Sequence, residues 1–228
     1  MTKENKMKNK ISSFVTVMLL SSLLITAQVQ VSEEPLHKPV LQNKYIRLLD
    51  VWLQPGDTTQ YHIHSTPSLF VHLSNAAISS QIMGEGWVKD QAEAGKAWYR
   101  SFSPDILVHR VCNLDIVPFH VNDIEILSSY NSNNSSHNKP LPFTVLFENE
   151  KAIAWQLTNH KFNRKIIKDR GPMIIELVTG DGVFFIDAKT KQSTEIKAGR
   201  YLYIEPGASF YFTATGRGEI NMVLFEIK

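Results

Sequence analysis

From residue 40 onward, apolar residues come in short stretches separated by Gly, Pro, Asn and Asp. The first half contains YIRLLDVWLQPGD, SLFVHLSNA, WYRSFSP, VHRVCNLD and VPFHVNDIEIL. The second contains FTVLFE, AIAWQLT, MIIELVTGDGVFFID, STEIKAGRYLYIEPG, SFYFTAT and INMVLFEIK. Runs of this length bounded by turn residues read as strands. Beyond the amino end, no window of about eleven residues keeps a 3.6-residue apolar period free of breakers, which argues against a helical domain. The pattern predicts an all-β chain.

Two segments break the pattern. Lys3, Lys6, Lys8 and Lys10 precede an apolar run from Ile11 to Ile25 that ends in Ile-Thr-Ala before Gln28. That order is a secretory signal. The run includes Ser12, Ser13, Ser21 and Ser22 and falls short of the roughly 20 mostly apolar residues a spanning helix needs. We expect removal of residues 1–27, no stable membrane anchor, and export to a periplasm or the extracellular space. The second segment, YNSNNSSHNKPLP at residues 130–142, is poor in apolar residues and reads as a linker. It separates residues 28–129 from 143–228, stretches of similar length that share an order of motifs. A duplicated β-barrel follows as the expectation.

Charge narrows the partners. The chain has 24 Lys and Arg against 22 Asp and Glu, a formal +2. Residues 1–27 hold four of those lysines and Glu4, so the remainder stands at −1. A nearly neutral chain with no dense basic block offers no footprint for nucleic acid. Cys112 is the single cysteine and cannot close an intramolecular disulfide. Burial has to hold the fold.

Candidate chemistry lies in GDTTQYHIHSTPSLFVH, residues 56–72. Side chains alternate along a strand, so His62 and His64 share a face with Cα atoms roughly 6.5–7 Å apart. Imidazoles at that spacing can meet at one ion through bonds of about 2.0–2.1 Å, or can simply hydrogen-bond. A third ligand has to come from another strand, and His109 in SPDILVHRVCN is the best candidate. On a regular strand Ser68, Phe70 and His72 share a face, which brings Ser68 and His72 within reach of the ligands. His120 in VPFHVND, with Asn122, is a candidate to face the same cavity. Arg110 points to the opposite face from His109, and Cys112 reads as a buried, inert thiol. His37, His137 and His160 lie in polar contexts and read as solvated. Trp52, Trp87, Trp98, Tyr99 and Phe102 suit either a pocket wall or the core.

Gly56, five residues, then His62-Ile-His64, with Gly95 downstream and His109 four positions before Asn113, resembles the paired motifs of the cupin superfamily. The resemblance implies two double-stranded β-helix (jelly-roll) barrels, with His62, His64 and His109 as ligands of a divalent transition metal: Fe, Cu, Zn, Mn or Ni. It also implies a small-molecule substrate or ligand, and association as a homodimer. The chain departs from the family in two places. Ser68 and Leu69 stand where a glutamate ligand is usual, and Ser103-Pro104-Asp105 replaces the usual Pro-x-Gly. Three neutral imidazoles leave the ion its full charge, as in three-histidine dioxygenases. In the second half Glu176 falls where the family's glutamate would, the HxH positions fall near Arg170 and Pro172, and Phe210 replaces the last histidine. The resemblance therefore implies a bicupin with one degenerate barrel, acting as an exported metal-dependent oxygenase or as a non-enzymatic small-ligand or metal-binding protein.

Overall fold

A computed structural model describes residues 28–131, 140–158, 164–216 and 218–228. Residues 1–27, most of the 130–142 segment, His137 and His160 lie outside the described residues, and with them the expectations placed there. Among the described residues no helix is long and apolar enough to cross a membrane.

Ten strands form the first half: β1 (Val29–Gln30), β2 (His37–Gln42), β3 (Ile46–Leu53), β4 (His62–His64), β5 (Ser68–His72), β6 (Ala76–Ile82), β7 (Trp87–Ala92), β8 (Ala97–Arg100), β9 (Leu107–Asn113) and β10 (Phe119–Ile126). They make two five-stranded sheets, ordered β1-β4-β9-β6-β7 and β2-β3-β10-β5-β8. Eight strands form the second half: β11 (Thr144–Glu148), β12 (Ala152–Thr158), β13 (Met173–Thr179), β14 (Val183–Asp187), β15 (Ser193–Ile196), β16 (Arg200–Ile204), β17 (Phe210–Ala214) and β18 (Asn221–Ile227). These give a five-stranded sheet, β11-β12-β18-β13-β16, and a three-stranded one, β15-β14-β17. The repeat is visible in the order: in each five-stranded sheet of the second kind the last strand of its half, β10 or β18, sits at the centre.

The two central sheets pack face to face. Ile46, Leu48, Leu69, Val71, Ile124 and Ile126 of the first half share one core with Ala152, Ala154, Ile174, Val223, Phe225 and Ile227 of the second. Each central sheet also covers an interior on its other side, so β5, β10, β13 and β18 are buried on both faces. This is why they read as nearly continuous apolar runs and not as alternating ones. Each polar residue within them then needs a partner. Glu226 of β18 accepts from Arg170 and from the Gly171 N–H at 2.8 Å. Gly95, with φ at +88°, lies against the second half, and a side chain there would collide with Asn221 Nδ2.

The interiors differ. The second is filled by Trp155, Met173, Ile175, Phe210, Phe212 and Leu224. Among the described residues its outer sheet has three strands where the first half has five, and none of them matches β4. At the place of the β4–β9 pairing, where His62 stands opposite His109, there is an isolated bridge between Ile167 and Phe210. Phe210 does occupy the site of the missing histidine, while its partner is Ile167, a few residues ahead of Arg170 and Pro172. Glu176 does not face this interior. It shares the parity of Ile174 and Val178, on the side toward the first half, because Met173, Ile175 and Leu177 are the residues of β13 that point inward.

Candidate metal centre

The first interior holds a cavity of about 440 Å³. β4 and β9 pair antiparallel with His62 opposite His109 and His64 opposite Leu107. A turn ahead of β4 fixes that register: Gly56, at φ +84°, donates its N–H to Asn113 O (3.1 Å), and Asn113 N–H donates to Asp57 O (3.0 Å). The Asn113 side chain donates to Leu53 O and Val117 O at 2.9 and 2.8 Å. Asn113 is thus the clamp that joins the two histidine strands.

His62, His64 and His109 converge, their ligand nitrogens all within 4.8 Å of one another. The ring environments assign the free nitrogens. His62 Nδ1 lies 2.9 Å from the Gln60 carbonyl, which can only accept, so Nδ1 carries the proton. His62 Nε2 keeps its lone pair, buried and without a partner. His64 Nε2 and His109 Nε2 are 3.1 Å apart, a separation that suits two nitrogens each about 2.1 Å from a common ion. The donor set therefore fits a divalent transition metal.

Burial, the first cause in each case, keeps these rings neutral. His62 is lowered to about 4 by desolvation and then by His37. His109 is lowered to about 3 by desolvation, then by His62, His37 and Arg100. His64 is driven lower still, by desolvation and then by His109 and His62. Neutral imidazole is the form that binds metal.

Asp123 of β10, absent from the sequence reading, stands behind His64. Its Oδ2 is 3.5 Å from His64 Nδ1, and burial followed by Glu125 pushes its carboxyl well above the usual range. The two atoms approach without forming a hydrogen bond, in the place from which an outer carboxyl orients a ligating ring once the two close on each other. Asp123→Ala will weaken Zn(II) binding by about 10–100-fold, read by competition with a chromophoric chelator. A variant that binds as tightly as the parent removes Asp123 from the site.

Other predicted positions divide by strand parity. His72 lines the cavity against Trp98 (4.8 Å between centroids) and Phe119 (5.4 Å), apart from the three converging nitrogens. Burial, then Lys96, lowers it to about 4. Ser68 does not reach the cavity lining; its hydroxyl donates to Thr66 O at 3.1 Å. His120 and Asn122 also face away. The cavity face of β10 is Phe119, Val121 and Asp123, so the alternate residues point to the second half. There His120 stacks on Trp52 at 3.8 Å and meets Asp50 at 2.6 Å, and Asn122 donates to Glu176 Oε1 at 2.9 Å.

Of the aromatic candidates, Trp98 and Phe102 line the cavity. Phe102, with φ at +53°, lays its ring against His64 (4.9 Å, 15°). Trp87 is exposed and Tyr99 packs between the halves. Arg110 lies over Tyr61 and Trp87, on the far face as predicted. Cys112 is only partly buried. His37, read as solvated, is 8% exposed and lines the cavity beside His62, with ring centroids 4.5 Å apart. Its buried partner Glu34, three residues earlier, is the sequence feature that could have marked it.

Two stacked jelly-roll barrels, one with converging imidazoles and one packed solid, define the fold as a double cupin barrel. No protein-family model and no curated protein matches the sequence. Solved structures do resemble it. AerE from Microcystis aeruginosa has a TM-score of 0.58 at 14% identity, covering 86% of this chain and 98% of that one. Salicylate 1,2-dioxygenase from Pseudoaminobacter salicylatoxidans has 0.56 at 11%, covering 80% and 68%. The Cupin 2 conserved barrel domain protein from Leptotrichia buccalis has 0.53 at 10%, covering 84% and 88%. At these identities the likeness is one of fold, and the fold is the cupin barrel, present twice.

Proposed function

We propose that this chain is an exported, metal-dependent bicupin that oxygenates a small organic substrate in its amino-terminal barrel. One observation supports it above the rest: His62 buries an unpartnered Nε2 toward the paired Nε2 atoms of His64 and His109. Leaving a buried polar atom unpaired costs about 1–3 kcal/mol, a cost that a bound cation would offset. When bound, the ion (Fe, Cu, Zn, Mn or Ni) supplies Lewis acidity and open coordination positions. The similarity of fold to salicylate 1,2-dioxygenase, solved with gentisate adducts, supports the reaction class.

The chain's own residues supply the surroundings. Asp123 orients His64. Phe70, Trp98, Phe102 and Phe119 give the cavity apolar walls that hold a small organic body and displace water. Lys96 and Arg100, set against Asp90, leave a net positive charge among the exposed lining residues, which favours anionic ligands.

Elemental analysis of the purified mature chain, followed by oxygen uptake with thiols, catechols and flavonols, tests the reading. We expect near-stoichiometric metal and consumption of oxygen with one class. A metal-free protein that takes up no added metal defeats it. A metallated protein inert to every class shifts the weight to the non-enzymatic binding reading.

A further inference from the structure

The segment ahead of β2 brings a second, differently prepared imidazole into the same cavity. Glu34 closes the short 3-10 helix Val31–Glu33 and is 2% exposed. Its carboxylate is saturated: Oε1 accepts from Gln60 N–H at 3.1 Å, and Oε2 from Leu36 N–H at 2.8 Å and His37 Nδ1 at 2.6 Å. Burial acts to raise Glu34, but His37 and the Gln60 and Leu36 N–H groups outweigh it, so its carboxyl titrates below the usual value. An ionised carboxylate only accepts, so His37 carries its proton on Nδ1. In the neutral ring Nε2 then keeps a lone pair, and it has no hydrogen-bond partner among the described residues. His37 lines the cavity beside His62, yet its nitrogens stand outside the three that converge. It is placed to meet something bound at the ion and not the ion itself.

We propose that His37 is the substrate-binding hydrogen-bond acceptor of the cavity: its Nε2 receives the hydroxyl of the small organic molecule held at the His62–His64–His109 centre, and Glu34 is the positioning residue that fixes the accepting tautomer. The proposal rests on the metal reading above, since that reading puts the substrate beside His37. The walls are otherwise largely apolar, so a hydroxyl reaching this nitrogen is matched, while an analogue lacking it covers the acceptor without pairing it. Sites built in this way discriminate strongly for the hydroxyl. A thiol is the weaker donor and is matched less well.

The test uses the mature chain loaded with Co(II), and 4-nitrocatechol as the hydroxyl probe. Wild type is compared with His37→Leu, His37→Gln and Glu34→Gln. The Co(II) visible spectrum and Co(II) affinity report the ligand set, and an absorbance titration gives the dissociation constant of the probe. We expect unchanged cobalt spectra, a roughly tenfold weaker probe in His37→Leu, and partial recovery in His37→Gln, whose amide oxygen can still accept. Glu34→Gln should weaken the probe with His37 intact, because its amide can donate to Nδ1 and turn Nε2 into an N–H. That variant carries the test if His37→Leu does not fold. An unchanged probe affinity in the variants overturns the proposal, as does equal loss in His37→Leu and His37→Gln, or a cobalt spectrum that changes with His37. A wild type that binds Co(II) but not the probe overturns the hydroxyl assignment alone. A wild type that takes up no Co(II) overturns the metal reading with it.

Discussion

Replacing His109 with alanine will abolish tight metal binding while the chain stays folded. His109 faces His62 across the β4–β9 pair, and its Nε2 lies 3.1 Å from that of His64. Without it two imidazoles remain, on one short strand. Loss of an outer partner costs 10–100-fold in affinity, so loss of one of three ligands will exceed about 100-fold. The same substitution acts in the opposite direction on the metal-free fold in acid. Burial, then His62, His37 and Arg100, lowers His109 from 6.5 to about 3. A base with a depressed value in the folded state leaves stability intact above pH 6.5 and drains it as pH falls toward 3. At pH 5 that loss is about 2 kcal/mol, and alanine removes it. Zn(II) titration at pH 7.5 and urea unfolding of metal-free protein at pH 7.5 and 5 read both effects. A folded His109→Ala protein that retains metal at wild-type affinity would falsify the ligand set.

Glu176→Gln will stabilise the chain at alkaline pH and leave it nearly unchanged near pH 4.5. Glu176 is fully buried between the two halves, and its Oε1 accepts from Asn122. Its Oε2 and Asn122 Oδ1 have no partner. Desolvation raises the carboxyl to about 8, against the Asn122 hydrogen bond and with a further push from Asp50. The group is therefore protonated at neutral pH. An acid with a raised folded value favours the fold fully below its unfolded value of 4.5, and that advantage is lost as pH climbs through 8. At pH 9 wild type has given up about 5 kcal/mol that the neutral amide retains. The amide oxygen can still accept from Asn122. Urea midpoints at pH 4.5 and 9 decide the matter: parallel pH curves for the two proteins would mean Glu176 is ionised in the native state.

The residues legible in advance were those whose placement depends on local geometry. His62 and His64 share a face because a strand has a period of two, whatever packs around it. His109 was found because a turn glycine and an asparagine bracket it in a recognisable order, and the structure shows Gly56 and Asn113 clamping the two strands. Phe210 was legible as a histidine lost, since the order of motifs in the second half places it where the last histidine of the family stands. His37 was misread because its burial depends on Glu34 and on the pairing of β1 with β4, which puts Val29 beside His62. Nothing in HKP shows that the segment returns to the cavity wall. Ser68 keeps the parity expected along β5 and stands beside the Asp123 carboxyl, outside the cavity lining, which ends at Phe70.

The sequence by itself determined an all-β chain, its division into two similar halves, and one strand presenting two imidazoles in the same direction. Each of these follows from alternation and turn chemistry within a few residues. Only the tertiary structure decided which side of β10 and β13 is the inside of a barrel. Both strands are buried on both faces, so apolar periodicity vanishes from them and the choice between His120 and Asp123, or between Glu176 and its neighbours, falls to the sheet stacked behind. That contact joins residues more than fifty positions apart, as Asn122 and Glu176 show, and short-range pattern carries no record of it.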